Sequence, residues 1–236
     1  MRRLTIVIPV LDEAAIIVGA LEALAPLRAR GAEIIVADGG STDGTAMLAR
    51  PLADLAVAAP RGRGATMNAG AARGNGDALL FLHADTRLPE NADRLIAGAL
   101  AQRFWGRFDL RIEGRHPLLA IVGQMINWRS RATGIATGDQ AIFVTREAFL
   151  SVGGFPDLPL MEDIAMSRRL KRLCRPFCIG TPAITSGRRW EHNGVWRTIL
   201  LMWRLRLAYY FGAEPARLAS RYRPVPSPAA HGGAGP

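Results

Sequence analysis

Two cysteines, Cys174 and Cys178, are all that the 236 residues contain. They are spaced C-x3-C with no second Cys or His pair to complete a zinc site, so the sequence predicts reduced thiols in a cytosolic protein. Lysine is scarcer still, because Lys171 is the only one among 30 basic residues, and the formal net charge of +10 is carried by arginine. Arginine pairs bidentately with phosphate and carboxylate, which suits an anionic substrate or an anionic membrane surface. The arginines are scattered rather than interleaved with aromatics in one stripe, which argues against nucleic acid as a partner. No apolar run reaches the roughly eighteen residues of a membrane span. The β pattern Leu4 to Val10 behind Met1-Arg2-Arg3 is too short for a signal-peptide core, so the protein is expected to be soluble or to lie on a surface. What is abundant is hydrophobic residues, 49% of the chain, enough to exclude disorder for the bulk and to bury one α/β core.

Along the chain, a strand over Leu4 to Val10, a helix from about Asp12 to Leu27 and a strand over Glu33 to Ala37 form a βαβ signature. Asp12 and Glu13 stand where strand gives way to helix, a place for helix caps that also faces the ligand crevice of a doubly wound sheet. The second strand runs into Asp38-Gly39-Gly40-Ser41-Thr42-Asp43-Gly44-Thr45. There the glycines permit tight turns, Ser41 or Thr42 can cap the next helix, and Asp38 and Asp43 offer acceptors to a base or ribose. The stretch lacks the Gly-Lys-Thr ending of a Walker A loop, and no G-x-G-x-x-G follows strand one. After a short strand, Leu55 to Ala59, Arg61 and Arg63 alternate with glycines at a helix start, an arrangement that gathers guanidinium and backbone N–H groups around an anion such as phosphate.

The stretch Ala78 to Pro89 is the centre of the pattern. Five apolar residues suited to a buried strand end in His83-Ala84-Asp85, and a helix follows from Glu90 to about Gln102. Ligands of open α/β sheets bind beyond the carboxyl ends of the strands, so an imidazole and a carboxylate there can hold a metal or a sugar. Taken alone, these two side chains serve equally well to satisfy backbone groups in a turn.

Taken together, the pieces resemble the family 2 glycosyltransferases of GT-A fold. Ile8-Pro9-Val10-Leu11-Asp12-Glu13 is similar to that family's Ile-Pro-x-x-Asn-Glu, Asp38 to Thr45 to its Asp-Gly-Ser-x-Asp-Gly-Thr, Gly62 to Gly70 to its Gly-x-x-x-x-Asn-x-Gly, and Ala78 to Asp85 to its strand ending in Asp-x-Asp. In the second half Gly138-Asp139-Gln140 precedes a strand over Ala141 to Thr145, and Gly153-Gly154-Phe155 leads to Met161-Glu162-Asp163. The latter resembles the segment that supplies the family's catalytic base. Ser186-Gly187-Arg188-Arg189-Trp190 is similar to the Gln-x-x-Arg-Trp of processive members but lacks the Gln. His-Ala-Asp in place of Asp-x-Asp resembles a compact bacterial subgroup associated with arsenosugar biosynthesis and radical SAM neighbours.

The resemblance implies an α/β protein, a GT-A type Rossmann-like α/β/α sandwich with a mostly parallel central sheet. One domain would span 1–223, with a nucleotide-binding half (1–103) and an acceptor half (104–223) that carries a C-terminal amphipathic helix, and a disordered tail is expected over 224–236. The implied activity is inverting, hexosyltransferase-like transfer from a UDP- or GDP-linked sugar to the hydroxyl of a small-molecule or lipid-linked acceptor. Asp163 would be the base, with Glu162 beside it. Pro9, Asp12, Glu13, Asp38, Gly39, Asp43, Arg61, Arg63, His83, Ala84, Asp85, Arg188, Arg189 and Trp190 would bind the donor, and Gly138, Asp139 and Gln140 would lie on the acceptor side. A divalent cation, Mg2+ or Mn2+, would sit on Asp85. Two rivals are a nucleotidyltransferase of related fold, which would typically carry a glycine-rich basic loop after strand one, and a non-catalytic nucleotide-sugar or RNA binding protein. The helix expected over Val195 to Phe211 is dense in tryptophan, tyrosine and arginine, and suits a peripheral contact at the cytoplasmic face of a membrane. A core helix or a homodimer helix explains it as well, because Arg197 and Arg204 share a face while Arg206 does not.

Overall fold

The computed structural model describes residues 3–222, and the tail expected over 224–236 lies outside the described residues. The first half delivers the expected alternation. Strand β1 (Leu4–Val10), helix α1 (Ala14–Ala29), β2 (Glu33–Asp38), α2 (Thr45–Ala49), β3 (Leu55–Ala58), α3 (Arg63–Arg73) and β4 (Ala78–Phe81) follow one another. Strands β3, β2, β1 and β4 lie side by side and parallel, with Val7 opposite both Ile35 and Phe81. A two-residue strand β5 (Thr86–Arg87) and helix α4 (Ala92–Leu100) come next. That helix does not begin at Glu90, directly after Pro89. The Pro89 carbonyl accepts the Ala92 N–H at 3.0 Å, so the proline closes a turn and the helix starts three residues on.

The second half adds β6 (Trp105–Glu113), α5 (Leu118–Thr133), β7 (Ile142–Thr145), α6 (Arg146–Ser151), α7 (Glu162–Leu170), β8 (Phe177–Ser186), α8 (Arg188–Asn193), α9 (Val195–Tyr210) and α10 (Pro215–Ala219). The eight strands form one sheet in the order β3-β2-β1-β4-β7-β6-β8-β5. Strand β7 runs antiparallel to β4 and to β6, while β6 and β8 are parallel. The result is a mixed sheet, mostly parallel as the resemblance implies.

The strands of the centre are buried on both faces, which is why they read as unbroken apolar runs. On one face Ile6, Ile8, Ile34, Val36, Leu80 and Phe143 pack against Ile17, Leu21 and Leu24 of α1 and Ile96 of α4. On the other, Val7, Leu79, Phe81, Ile142, Val144 and Trp105 pack against Met67 and Ala71 of α3 and Met166 and Leu170 of α7. The side-chain period of two thus splits each strand between two cores, giving helix, sheet and helix layers.

Close approaches fix where glycine must stand. A Cβ on Gly70 would meet Val7 Cγ1 at 2.5 Å, so α3 lies directly on β1. One on Gly106 would meet the Phe177 carbonyl oxygen at 2.3 Å and the Phe143 ring at 2.5 Å, locking β6 between β7 and β8. Backbone cannot yield as a flexible side chain does. Gly106→Ala is therefore expected to cost at least about 1–3 kcal/mol by overpacking, read as a lower urea midpoint with unchanged slope. An unchanged midpoint would show that the strand junction is looser than described.

Candidate active site

Strand order reverses between β1 and β4, and the carboxyl ends of β1, β2, β3 and β4 open into the crevice that such a reversal creates. The pairing of Phe81 with Ile142 then brings the start of β7 beside the end of β4. A single turn of 3-10 helix, Gly138–Gln140, is thereby set against His83. Strand β8 ends at the same side, so α8 with Arg188 and Arg189 starts near the crevice.

The β1–α1 and β2–α2 loops are tied to each other by carboxylates. Asp12 stands in the left-handed region at φ 54°. Its Oδ1 accepts the Thr42 N–H at 2.8 Å, and its own N–H donates to Ser41 Oγ at 2.9 Å. Asp38 Oδ1 accepts from Gly40 N, Ser41 N and Ser41 Oγ, folding the glycine turn onto the strand end. Asp43 takes the capping role expected of Ser41 or Thr42, since its Oδ1 accepts the Thr45 N–H at 3.0 Å at the start of α2. Its Oδ2 accepts the Ala14 N–H at 2.9 Å and so also caps α1, in place of the local caps expected from Asp12 and Glu13. Ser41 and Thr42 are drawn toward Asp38 and Asp12 instead, which removes them from the helix end. Burial opposes ionisation of Asp43, but the Thr45 hydroxyl and the Ala14 and Thr45 N–H groups outweigh it and hold the carboxyl below its usual range. One oxygen of Asp12 and one of Asp38 thus build the loops, while both oxygens of Asp43 are engaged. Pro9 is paired within the sheet opposite Ala37, and a Cβ on Gly39 would approach Thr66 Oγ1 to 3.3 Å.

The inner wall of the crevice is a small cavity lined by Arg63, Met67, Phe81, His83, Gly138, Ile142, Phe155, Glu162 and Asp163. His83 is 13% exposed, with Nδ1 at 3.1 Å from Asp139 Oδ1. Its Nε2 is buried without a hydrogen-bond partner. A Cβ on Gly138 would come within 2.5 Å of that nitrogen, so the glycine lies directly over the ring. Burial opposes ionisation of Asp139, but the His83 hydrogen bond, the charge of His83 and the nearby Arg63 and Arg189 hold it down at about 2.

Asp163 receives the Gly138 N–H at 2.9 Å on Oδ2 and the Ile164 N–H at 2.7 Å on Oδ1. Burial and the charge of Glu162 nevertheless push its carboxyl up, to about 6, against those donors and Arg63. Glu162 is 4% exposed, and Arg63 Nη1 stands 3.5 Å from its Oε1. Three carboxylates and an imidazole therefore meet at one end of the sheet with Arg63 among them.

Not every expected residue faces this cavity. Asp85 is exposed, with Thr86 Oγ1 at 3.3 Å from its Oδ1. Ala84 packs at the edge of the main core, and Arg61 is exposed. Arg188 is half-buried at the start of α8. Arg189 feels Asp139 and Asp85 as attractive charges, and its guanidinium lies 4.6 Å over the Tyr222 ring. Trp190 packs instead with Leu110, Ile112 and Leu119 in a separate apolar cluster. Gln140 is fully buried, its Oε1 accepting the Thr137 N–H at 3.2 Å, so it shapes the loop. Among the described residues, no three His, Cys, Asp or Glu side chains gather as a metal cage. A cation at Asp85 fits only as an ion that takes most of its ligands from a bound diphosphate. The cysteines are free and partly buried.

Three further residues shape these surroundings, the first of them the asparagine of the Gly62 to Gly70 motif. Asn68 clamps α3 to the turn before α7, its Nδ2 donating to the Phe155 carbonyl at 2.8 Å and its Oδ1 accepting the Phe155 N–H at 2.9 Å. Arg107 is fully buried, bonded to Asp109 and to the Asn127 carbonyl at 3.2 Å. The alternation in Arg107-Phe108-Asp109-Leu110-Arg111-Ile112-Glu113 marks that strand and puts Arg107 and Asp109 on one face. Arg129, on α5 near Asp163, has Nε and Nη2 buried without partners, and burial lowers its proton affinity.

Solved structures share this architecture. The chain is similar to a mannosyltransferase from Pyrobaculum calidifontis in complex with GDP-Man and Mn2+, at 22% identity and TM-score 0.63, over 95% of this chain and 66% of that one. It is similar to S. aureus TarS 1–349 in complex with UDP-GlcNAc, at 15% identity and TM-score 0.63, over 78% of this chain and 58% of that one. It is also similar to glucosyl-3-phosphoglycerate synthase from Mycobacterium tuberculosis in complex with Mn2+, UDP and phosphoglyceric acid, at 20% identity and TM-score 0.57, over 78% and 69%. The chain spans about two thirds or less of the length of the first two. No curated protein matches it in sequence. The fold is that of the GT-A glycosyltransferases, and residues 5–119, which hold β1 through β6 and the His83-Ala84-Asp85 turn, match the family described as Glycosyl transferase family 2.

Proposed function

We propose that the protein is an inverting glycosyltransferase that moves a hexose from a UDP- or GDP-linked donor to an acceptor hydroxyl. The observation that carries this reading is Asp163. It is a carboxylate raised to about 6 by burial and by Glu162, set beside a cavity that Arg63 and His83 also line. A general base works best with a pKa near the operating pH. Asp163 takes the proton of the acceptor hydroxyl as that oxygen bonds to the anomeric carbon, and the bond from that carbon to the donor diphosphate breaks. One displacement inverts the centre and calls for no enzyme nucleophile. Arg61, Arg63, Arg188 and Arg189 meet the charge on the departing diphosphate, and His83 contacts ribose or diphosphate. The loops tied by Asp12, Asp38 and Asp43, with Pro9, Glu13 and Gly39, form the nucleoside wall, and Gly138 and Asp139 face the acceptor.

Asp85 would hold a Mg2+ or Mn2+ ion, which when bound would supply positive charge to the donor diphosphate. A single carboxylate makes a weak site until the donor supplies the remaining oxygens. The Mn2+ complexes of the Pyrobaculum and Mycobacterium proteins support this part of the reading. The acceptor is a small molecule or a lipid-linked species.

Two measurements check the reading. In a thermal-shift panel, a UDP- or GDP-sugar with Mn2+ raises the melting temperature, because a ligand bound only by the folded state stabilises it, and EDTA shrinks the shift. Indifference of every donor to the chelator would remove the cation from the account. Turnover climbs as pH rises through about 6, since Asp163 must lose its proton to act. Glu162 is among the causes that raise Asp163, so Glu162→Gln shifts this acidic limb to lower pH. A limb that stays in place would separate the profile from Asp163. The same group's contribution to stability falls as pH rises from 3.8 to about 6, because the folded state holds that proton more tightly than the unfolded chain.

A further inference from the structure

Helix α9 has two unlike faces. Leu205 is buried on the inner one and, with Leu201, Met202, Ala208 and Tyr209, joins the cluster of Met161, Ile164 and Leu218. The inner face therefore braces the residues on either side of Glu162 and Asp163. The outer face is bare, with Trp196, Leu200, Trp203, Leu207, Tyr210 and Phe211 between 58% and 76% exposed. Steps of four, three, four and three residues set the first five of these in one stripe. Single exposed hydrophobics are ordinary on a protein surface, whereas five large ones along one helix, with Phe211 at its cap, mark an interaction site. Arg197 and Arg204 are exposed one residue beyond each tryptophan and so border the stripe. The helix carries no Asp or Glu.

We propose that this face docks peripherally on an anionic lipid bilayer. Charge selects that occupant, because a helix whose charged residues are all arginine, on a chain of net charge +10, complements anionic headgroups. Composition agrees, since tryptophan and tyrosine settle at the headgroup level while arginine reaches to the phosphates. Length fits as well. The 16 residues of α9 extend about 24 Å, short of a hydrocarbon core of about 30 Å. No helix among the described residues is long and apolar enough to cross a membrane. The helix thus lies in the surface. A second copy of the chain is a poorer occupant, because apposing two such faces brings Arg197 and Arg204 against like charges with no carboxylate on the helix to pair them. Helix α5 adds a smaller stripe of the same kind, Ile121, Met125 and Trp128. It too lacks acidic residues, and its Leu119 and Val122 share an apolar cluster with Val195 of α9.

Vesicle binding by the full chain reads this face independently of the proposed reaction. Co-sedimentation compares vesicles of phosphatidylcholine alone with vesicles of phosphatidylcholine and phosphatidylglycerol, at low and high salt. Binding is expected on the mixed vesicles, with a blue shift of tryptophan emission and weakening by salt. Arg197→Ala with Arg204→Ala lowers that affinity on the order of twentyfold, each arginine near an anionic surface contributing about fivefold. Trp203→Glu removes binding and, as an exposed position, leaves the melting temperature unchanged. Equal binding to both vesicle types would overturn the proposal, as would full binding by the Trp203→Glu variant. So would a chain that ignores vesicles and instead forms a concentration-dependent dimer that Trp203→Glu dissolves.

Discussion

The antiparallel pairing of β7 with β4 is the contact on which the candidate site depends. With Phe81 opposite Ile142, the 3-10 turn Gly138–Gln140 has nowhere to go but against His83 and the start of α7. Asp139 then reaches the imidazole, and the Gly138 N–H reaches Asp163. A slip of one residue would turn every side chain of β7 to the other face and carry Ile142 and Val144 out of their core. The apolar faces of one short strand thereby enforce the placement of polar groups around it.

Charge in the crevice follows from that crowding. Asp139 and Asp163 are both oxygen acids within reach of Arg63, yet their proton affinities move in opposite directions. Asp139 has a histidine partner and stays ionised, while Asp163 has burial and Glu162 against it. Pairs of titratable groups driven apart by their surroundings are a physical mark of acid–base sites. On this account Asp139 positions the histidine and Asp163 handles the proton. The clamp between Asn68 and Phe155 and the inner face of α9 hold the chain that leads into α7, so the raised carboxyl is fixed from two sides.

Much of the first half is legible in sequence because its information is local. Apolar runs of strand length alternate with helical patterns, and Asp38 to Thr45 and His83 to Asp85 sit directly at strand ends. What sequence left open is set by contacts between distant segments. Asp43 caps α1 across 29 residues, Asn68 binds Phe155 across 87, and Gly138 meets Asp163 across 25. No pattern within a window of a dozen residues encodes such meetings. Strand β6 is the converse case. Its alternating pattern is present, but a charged residue at every second position reads as a solvated face, whereas Arg107 is buried by its bonds to Asp109 and Asn127. Trp190 similarly follows a motif in sequence and a different apolar cluster in space.

The most direct test of the account is donor turnover by Asp163→Asn, followed by mass spectrometry of the sugar product, beside donor affinity measured on the same protein. The substitution keeps size and removes the proton acceptor. The account predicts loss of turnover by on the order of a hundredfold or more, the usual contribution of a general base, with donor affinity retained. Undiminished turnover in a variant that binds donor normally would contradict it.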